Sequence, residues 1–187
     1  MRIAVIGGGN GAYAAAADLT ERGHEVRLWR RDAQALAGSK TLSLKDADGE
    51  RRIELASVSP ELPLALRGAE LVFMPDPAFT QLENARRIAP HLAAGQVVFF
   101  APGTFGSYIV ANAVRESDNR AELAYAETGT LPWLTRKHGP TTAAITARAT
   151  RLPTGVYPAR ARERAFSVLR KVFPVEPLED ALSAALM

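Results

Sequence analysis

"VIGGGNGAYAAAADL", Val5 to Leu19, decides the fold. It joins a short apolar run, Arg2 to Ile6, to an alanine-rich stretch that reads as a helix from about Gly11 to Arg22, with Gly23 in the C′ position that favours glycine. A dinucleotide site needs a tight turn between first strand and first helix, a backbone bare enough for a pyrophosphate to approach, and a helix N-terminus aimed at its charge. Gly7, Gly9 and Ala12 occupy the three positions of G-x-G-x-x-G/A, Gly8 and Gly11 open the turn further, and Asn10 stands between them. The strand before and the helix after are the context that separates such a site from a glycine turn used only for packing.

The second strand, "HEVRLW" from His24 to Trp29, should end beside the adenosine ribose, about 20 residues beyond the glycines. There the chain reads Arg30-Arg31-Asp32, with Arg30 where an NAD enzyme usually places Asp or Glu. Two guanidinium groups suit a 2′-phosphate, each charge-assisted hydrogen bond being worth about 1.5–3 kcal/mol. At about 1.4 kcal/mol per tenfold, NADP is expected over NAD by at least roughly tenfold. The alternative leaves both arginines in solvent and gives the ribose to Asp32.

Outward from this unit, short apolar runs alternate with amphipathic stretches, the pattern of a parallel sheet covered by helices. "TLSLKDADGERRIELA", Thr41 to Ala56, reads as a small inserted hairpin turning at Asp48-Gly49. "AELVFM" (Ala69 to Met74), "QVVFFA" (Gln96 to Ala101), "AELAYA" (Ala121 to Ala126) and Thr141 to Thr150 read as strands, with "ETGTLPWLTRKHGP" as a loop. A helix is expected from about Ala159 to Phe173, and "PLEDALSAALM" repeats apolar residues at helical spacing. The expected fold is α/β: a doubly wound, mostly parallel Rossmann-type sheet with helices on both faces. Residues 1–177 are expected to form the NAD(P)-binding domain, and residues 178–187 to begin a further helix.

Composition narrows the function. The 187 residues contain no cysteine, which excludes a disulfide framework, a thiolate metal site and a cysteine nucleophile, and fits a reducing compartment. No apolar run approaches the roughly 20 residues of a membrane helix, and the first strand begins at once, so a cytoplasmic protein is expected. A net charge of +3 gives little support to nucleic-acid binding. The basic run "ARARERAFSVLRK", Ala159 to Lys171, reads as a solvated helix face.

Ligands of an open parallel sheet lie beyond the carboxyl ends of its strands. "PDPAF" after Met74 and "PGTFG" after Phe100 should therefore flank the cofactor, making Pro77, Phe79, Pro102, Gly103 and Thr104 candidate contacts. His24 and His91 read as surface residues, and His138, beside Arg136 and Lys137, is a poor acid or base. No group suited to proton transfer at a reacting carbon is evident in the chain.

With "GGGNGA" (Gly7 to Ala12), "PAF" (Pro77 to Phe79), "PGTFGS" (Pro102 to Ser107) and "ETGTLPWLTR" (Glu127 to Arg136) in view, the chain resembles the N-terminal domain of the octopine/nopaline (opine) dehydrogenases. The first motif is shared by many NAD(P) enzymes, while the last is the more specific. The resemblance implies reductive condensation of a 2-oxo acid with an amino acid, hydride coming from NAD(P)H. It also implies a separate helical C-terminal domain outside the chain, to which the helix begun at residues 178–187 would lead and which carries a catalytic histidine and a nearby aspartate, so no catalytic residue is expected in this chain. It suggests Thr130 as an amino-acid contact, with Thr128 an alternative; Trp133, after Pro132, either lines the cleft or is a packing residue. Metal is not expected, and a homodimer is compatible with the sequence. Two other readings stay open: a stand-alone dinucleotide-binding or sensing module, and the nucleotide domain of a ketopantoate- or glycerol-3-phosphate-type reductase. The latter would call for a catalytic lysine, and Lys40, Lys45 and Lys137 do not look well placed.

Overall fold

The computed structural model describes residues 1–32 and 39–187. In the described residues an eight-stranded sheet and a four-stranded sheet share one helix between them. The chain starts inside the larger sheet with β1 (Arg2–Ile6), third from one edge, runs through α1 (Asn10–Glu21), and returns as β2 (Glu25–Trp29), parallel to β1. Gly23, at φ +84°, ends α1 as expected, its N–H bonding the Thr20 carbonyl.

After β3 (Thr41–Asp46) and β4 (Gly49–Glu54), the strand β5 (Ser57–Ser59) pairs with β2 at the sheet edge. Helix α2 (Leu62–Leu66) then carries the chain back across β1 to β6 (Leu71–Met74). Helix α3 (Ala78–Ile88), β7 (Val97–Phe100), α4 (Gly106–Glu116) and β8 (Ala124–Thr128) continue in that direction. The order reverses between β1 and β6, so the carboxyl end of β1 is the topological switch point where ligands bind in open α/β sheets.

Alternation along the central strands builds two cores. Ile3, Val5, Leu71, Phe73, Val97 and Phe99 face α1, while Ala4, Ile6, Val72, Met74, Val98 and Phe100 face α2, α3 and α4. Every one of these side chains is buried, as continuous apolar runs require in a sheet covered on both faces.

Several expectations are corrected. The expected hairpin forms, β3 pairing antiparallel with β4 and Gly49 at φ +104° in its turn, but the loop after β8 is not all loop: β3 also pairs with β10 (Thr142–Arg148), which pairs with β9 (Trp133–His138). Half of the expected loop "ETGTLPWLTRKHGP" is therefore a strand. This second sheet lies over α1, which explains its alanines: Ala14 to Ala17 are wholly buried because the helix is covered on two sides and only small side chains allow so close an approach.

Trp133 is buried and takes the packing role, away from the cleft at the glycine turn. Its ring packs edge-on against Phe73 at 5.9 Å and Phe173 at 5.8 Å, and its indole N–H meets buried Asp18 at 3.2 Å. Two unexpected strands extend the large sheet, β11 (Leu152–Tyr157), antiparallel to β8, and β12 (Val175–Pro177). The expected helix over Ala159 to Phe173 is shorter, a 3₁₀ turn followed by α5 (Arg162–Leu169).

Residues 178–187 contain a short helix, α6 (Ala181–Ala185), whose Asp180 caps it through the Ser183 N–H at 2.8 Å. Ala181 and Ala184 are buried and Leu182, Leu186 and Met187 are exposed.

Candidate functional site

The glycine turn lies at the switch point. Gly7 follows β1 with φ +119°, a conformation that favours glycine, and a Cβ there would also come within 2.8 Å of Asp76 Oδ1. Gly8 is covered by the Arg30 guanidinium, whose Nε lies 2.9 Å from where a Cβ would stand. Gly9 differs: among the described residues nothing lies within 4 Å of its would-be Cβ, so the protein itself does not require glycine there. Its open face borders a cleft of about 290 Å³ lined by Gly7, Gly8, Gly9, Arg30, Arg31, Asp32, Asp76, Pro77, Thr80 and Asn84. Asn10 begins α1, and Gly11 and Ala12 are buried, Gly11 pressed between Pro75 and Leu131.

The arginines take different partners. Arg30 donates to the Tyr13 hydroxyl and lies over its ring, 5.3 Å from the centroid, while Arg31 reaches Glu83 of α3 at 3.0 Å. Burial raises the Tyr13 phenol pKa, partly offset by the Arg30 charge. Lys137, discounted on sequence, comes to the same ring: its Nζ sits 3.9 Å from the Tyr13 centroid and 3.2 Å from the Gly8 carbonyl.

Three cleft residues escaped the sequence reading. Asp76 is buried at the carboxyl end of β6, and desolvation pushes its carboxyl up to about 6, against a hydrogen bond from Asn84 Nδ2 at 2.8 Å. Asn84 Oδ1 is buried with no partner among the described residues, and Thr80 stands at the rim. The "DP" of "PDPAF" was the available signal, but only the loop geometry shows that Asp76 faces Gly7.

Pro77 joins the cleft as the cap of α3, whereas Phe79 points outward, 87% exposed, beside Leu82, Glu83, Arg86 and Arg87. Pro102 and Gly103 approach the end of β8, the Gly103 N–H bonding the Thr128 carbonyl at 2.8 Å. Thr104 (φ +52°) and Phe105 (φ +67°) are both left-handed, a strain of roughly 1–2 kcal/mol per residue. Glu127 steadies that loop. Wholly buried, it accepts from Ser107 Oγ at 2.7 Å at the N-terminus of α4. Desolvation raises its pKa, while the Ser107 hydroxyl and the N–H groups of Ser107, Gly106 and Phe105 draw it back. Thr128 is enclosed and its hydroxyl lacks a partner among the described residues, whereas Thr130 is exposed one residue from Leu131, which rests on Gly11.

His24 is half-buried at the start of β2 and its imidazole pKa is lowered by burial; His91 and His138 are exposed at element ends. Lys40 pairs with Glu54 at 2.8 Å and Lys45 is exposed. No metal-binding cluster of His, Cys, Asp and Glu occurs among the described residues, and no described helix is long and apolar enough to cross a membrane.

No protein-family profile matches the chain. It is 26% identical to an opine dehydrogenase of Arthrobacter sp. (strain 1C) over 140 residues, 73% of this chain and 39% of that protein. The structure superposes on octopine dehydrogenase in complex with NADH and agmatine with a TM-score of 0.78 at 19% identity, covering 98% of this chain and 50% of that one. A ketopantoate reductase of the PanE/ApbA family from Ralstonia eutropha JMP134 gives a TM-score of 0.70 at 22% identity, over 96% of this chain and 57% of that one. The chain thus spans about half the length or less of the opine and octopine enzymes it resembles.

Proposed function

We propose that this homologue of opine dehydrogenase is the cofactor-binding half of an NAD(P)-dependent dehydrogenase acting on CH–NH bonds. The observation that carries this reading is the unfilled face of Gly9. It opens at the N-terminus of α1 onto a cleft at the sheet's switch point, where the protein leaves room for a phosphate and needs none for itself. The residues fit a nicotinamide dinucleotide. The turn Gly7 to Gly9, with Asn10 behind it, would face the pyrophosphate and Gly11 and Ala12 would hold the helix close. Arg30 and Arg31 would meet the adenosine end, Asp32 flanking them, and Pro77, Pro102, Gly103 and Thr104 would frame the rest.

Phe79, facing away from the cleft, is the weakest of the proposed contacts. Bound, the nicotinamide supplies hydride to the imine of an amino acid and a 2-oxo acid. Thr130, exposed where Thr128 is enclosed, is the better placed to meet the amino acid. Proton transfer and the clamp for substrate carboxylates would come from the remainder of the enzyme, so the chain alone binds dinucleotide and turns over nothing. The cysteine-free sequence suits a cytoplasmic setting.

Arg30 and Arg31 favour NADP over NAD. Titrating NADPH and NADH at one salt concentration tests both statements: NADPH should bind about tenfold or more tightly, and Arg30→Ala should erase the difference. Tighter NADH binding refutes the preference, and binding of neither refutes the function.

A further inference from the structure

The second sheet brings one charged side chain to the glycine turn. Lys137 lies near the end of β9 and belongs to none of the motifs that mark a dinucleotide site. Its backbone N–H donates to Asn10 Oδ1 at 2.9 Å, fastening β9 to the first residue of α1. Its side chain then crosses the Tyr13 ring to the Gly8 carbonyl. Arg30 reaches the same ring from the end of β2, so two strands from two sheets deliver cations to one buried tyrosine beside the glycines.

The Asp32 carboxylate acts on Tyr13, whereas the charge described as acting on Lys137 is the like charge of Arg30. Burial, and then the Arg30 charge, lower the Lys137 amine pKa, the sign expected of an ammonium held near a like charge and away from water. The contacts described for its Nζ are one carbonyl and one ring face, and neither neutralises it. A phosphate would, and it would relieve the repulsion between the two cations in the same step.

We propose that Lys137 is a phosphate-binding residue of the dinucleotide site, forming with Arg30 a cationic clamp on the Tyr13 platform. The inference rests on the reading that the chain binds a nicotinamide dinucleotide. The phosphate is either the 2′-phosphate or the pyrophosphate, and it makes the four-stranded sheet part of the cofactor site.

The test is calorimetric titration of NADPH and NADH into the 187-residue chain, its Lys137→Gln variant and its Lys137→Arg variant, each at about 50 and about 200 mM salt. Lys137→Gln should weaken binding about tenfold or more and flatten the salt dependence, because one charge–phosphate contact has gone, and Lys137→Arg should restore most of both. A loss confined to NADPH assigns the ammonium to the 2′-phosphate, and an equal loss for both assigns it to the pyrophosphate; either supports the proposal. Binding of both dinucleotides by Lys137→Gln within about twofold of the parent overturns it. A loss with unchanged salt dependence and no rescue by arginine also overturns it, since that is the behaviour of a packing residue. If the parent chain binds neither dinucleotide, the reading beneath this inference falls and takes it along.

Discussion

Replacing Gly9 by alanine separates what the fold needs from what a ligand needs. The backbone at Gly9, φ −81° and ψ −175°, is open to alanine, and the new methyl would meet no described protein atom within 4 Å. As the residue capping α1, glycine is better than alanine by roughly 0.5 kcal/mol, and alanine recovers about 0.4–1 kcal/mol by stiffening the unfolded chain. Net stability should therefore change by less than about 0.5 kcal/mol, a Tm shift of no more than about 2 °C for a chain of this length. Binding should respond very differently. The methyl would stand in the space assigned to the pyrophosphate and cost at least one backbone hydrogen bond to a charged oxygen, about 1.5–3 kcal/mol, or roughly a ten- to hundredfold rise in Kd. Calorimetric titration of NADPH beside a melting curve of the free variant reads both quantities. An unchanged Tm with unchanged affinity would refute the assignment of this open face to the phosphates. Gly8→Ala is the contrast: its methyl meets Arg30 Nε at 2.9 Å, so it should displace the guanidinium and weaken NADPH binding more than NADH binding.

Other substitutions probe the surroundings. The Asp76 carboxyl is held at about 6, above its ordinary 3.8, so the folded state keeps its proton longer than the unfolded one and stability falls as pH rises between those values. Asp76→Asn should thus gain stability relative to the parent by up to about 3 kcal/mol between pH 4 and pH 8 in urea unfolding, and a gap independent of pH would refute the buried charge. Arg148 bridges Asp18 at 2.6 Å and Asp46 at 2.7 Å, tying α1 to the second sheet, so Arg148→Ala should cost about 1–3 kcal/mol and a loss below about 0.5 kcal/mol would show that Arg51 and Trp133 suffice. Gly103→Ala drives a methyl into the Glu127 side chain and should lower stability by about 1–3 kcal/mol, read as a lower Tm. Gly9→Ala, in open space, is its control.

The part of the fold legible in the sequence is the part built by local pattern. Continuous apolar runs gave β1, β6 and β7, and Gly23 and Asp48-Gly49 marked a helix end and a turn because both depend on neighbours in the chain. The strands missed are those whose local chemistry argues against them. Strand β9 alternates buried Trp133 and Thr135 with outward Leu134 and Arg136, but Pro132 before it and Gly139-Pro140 after it read as loop punctuation. Strand β11 contains Pro153 and Gly155, ordinarily poor strand residues. Gly155 is there because the backbone of α6 lies directly on it, leaving no space for a side chain. That reason becomes visible only once the two segments have met.

The candidate site divides along the same line. The glycines, Arg30 and Arg31 follow one strand or open one helix, and a motif can hold them because their spacing fixes their geometry. Asp76 and Asn84 are eight residues apart, yet their contact depends on how the loop after β6 folds back on α3. Lys137 is bound to Asn10 across 127 residues, through the pairing of β9 with β10 and of β10 with β3. No local spacing encodes that approach, and its position in the sequence, beside Arg136 and His138 in a polar stretch, resembles an ordinary solvated face. Its place over Tyr13 follows from the second sheet closing over α1. A candidate site read only from the first βαβ unit therefore omits a cation that the second sheet brings beside the glycine turn.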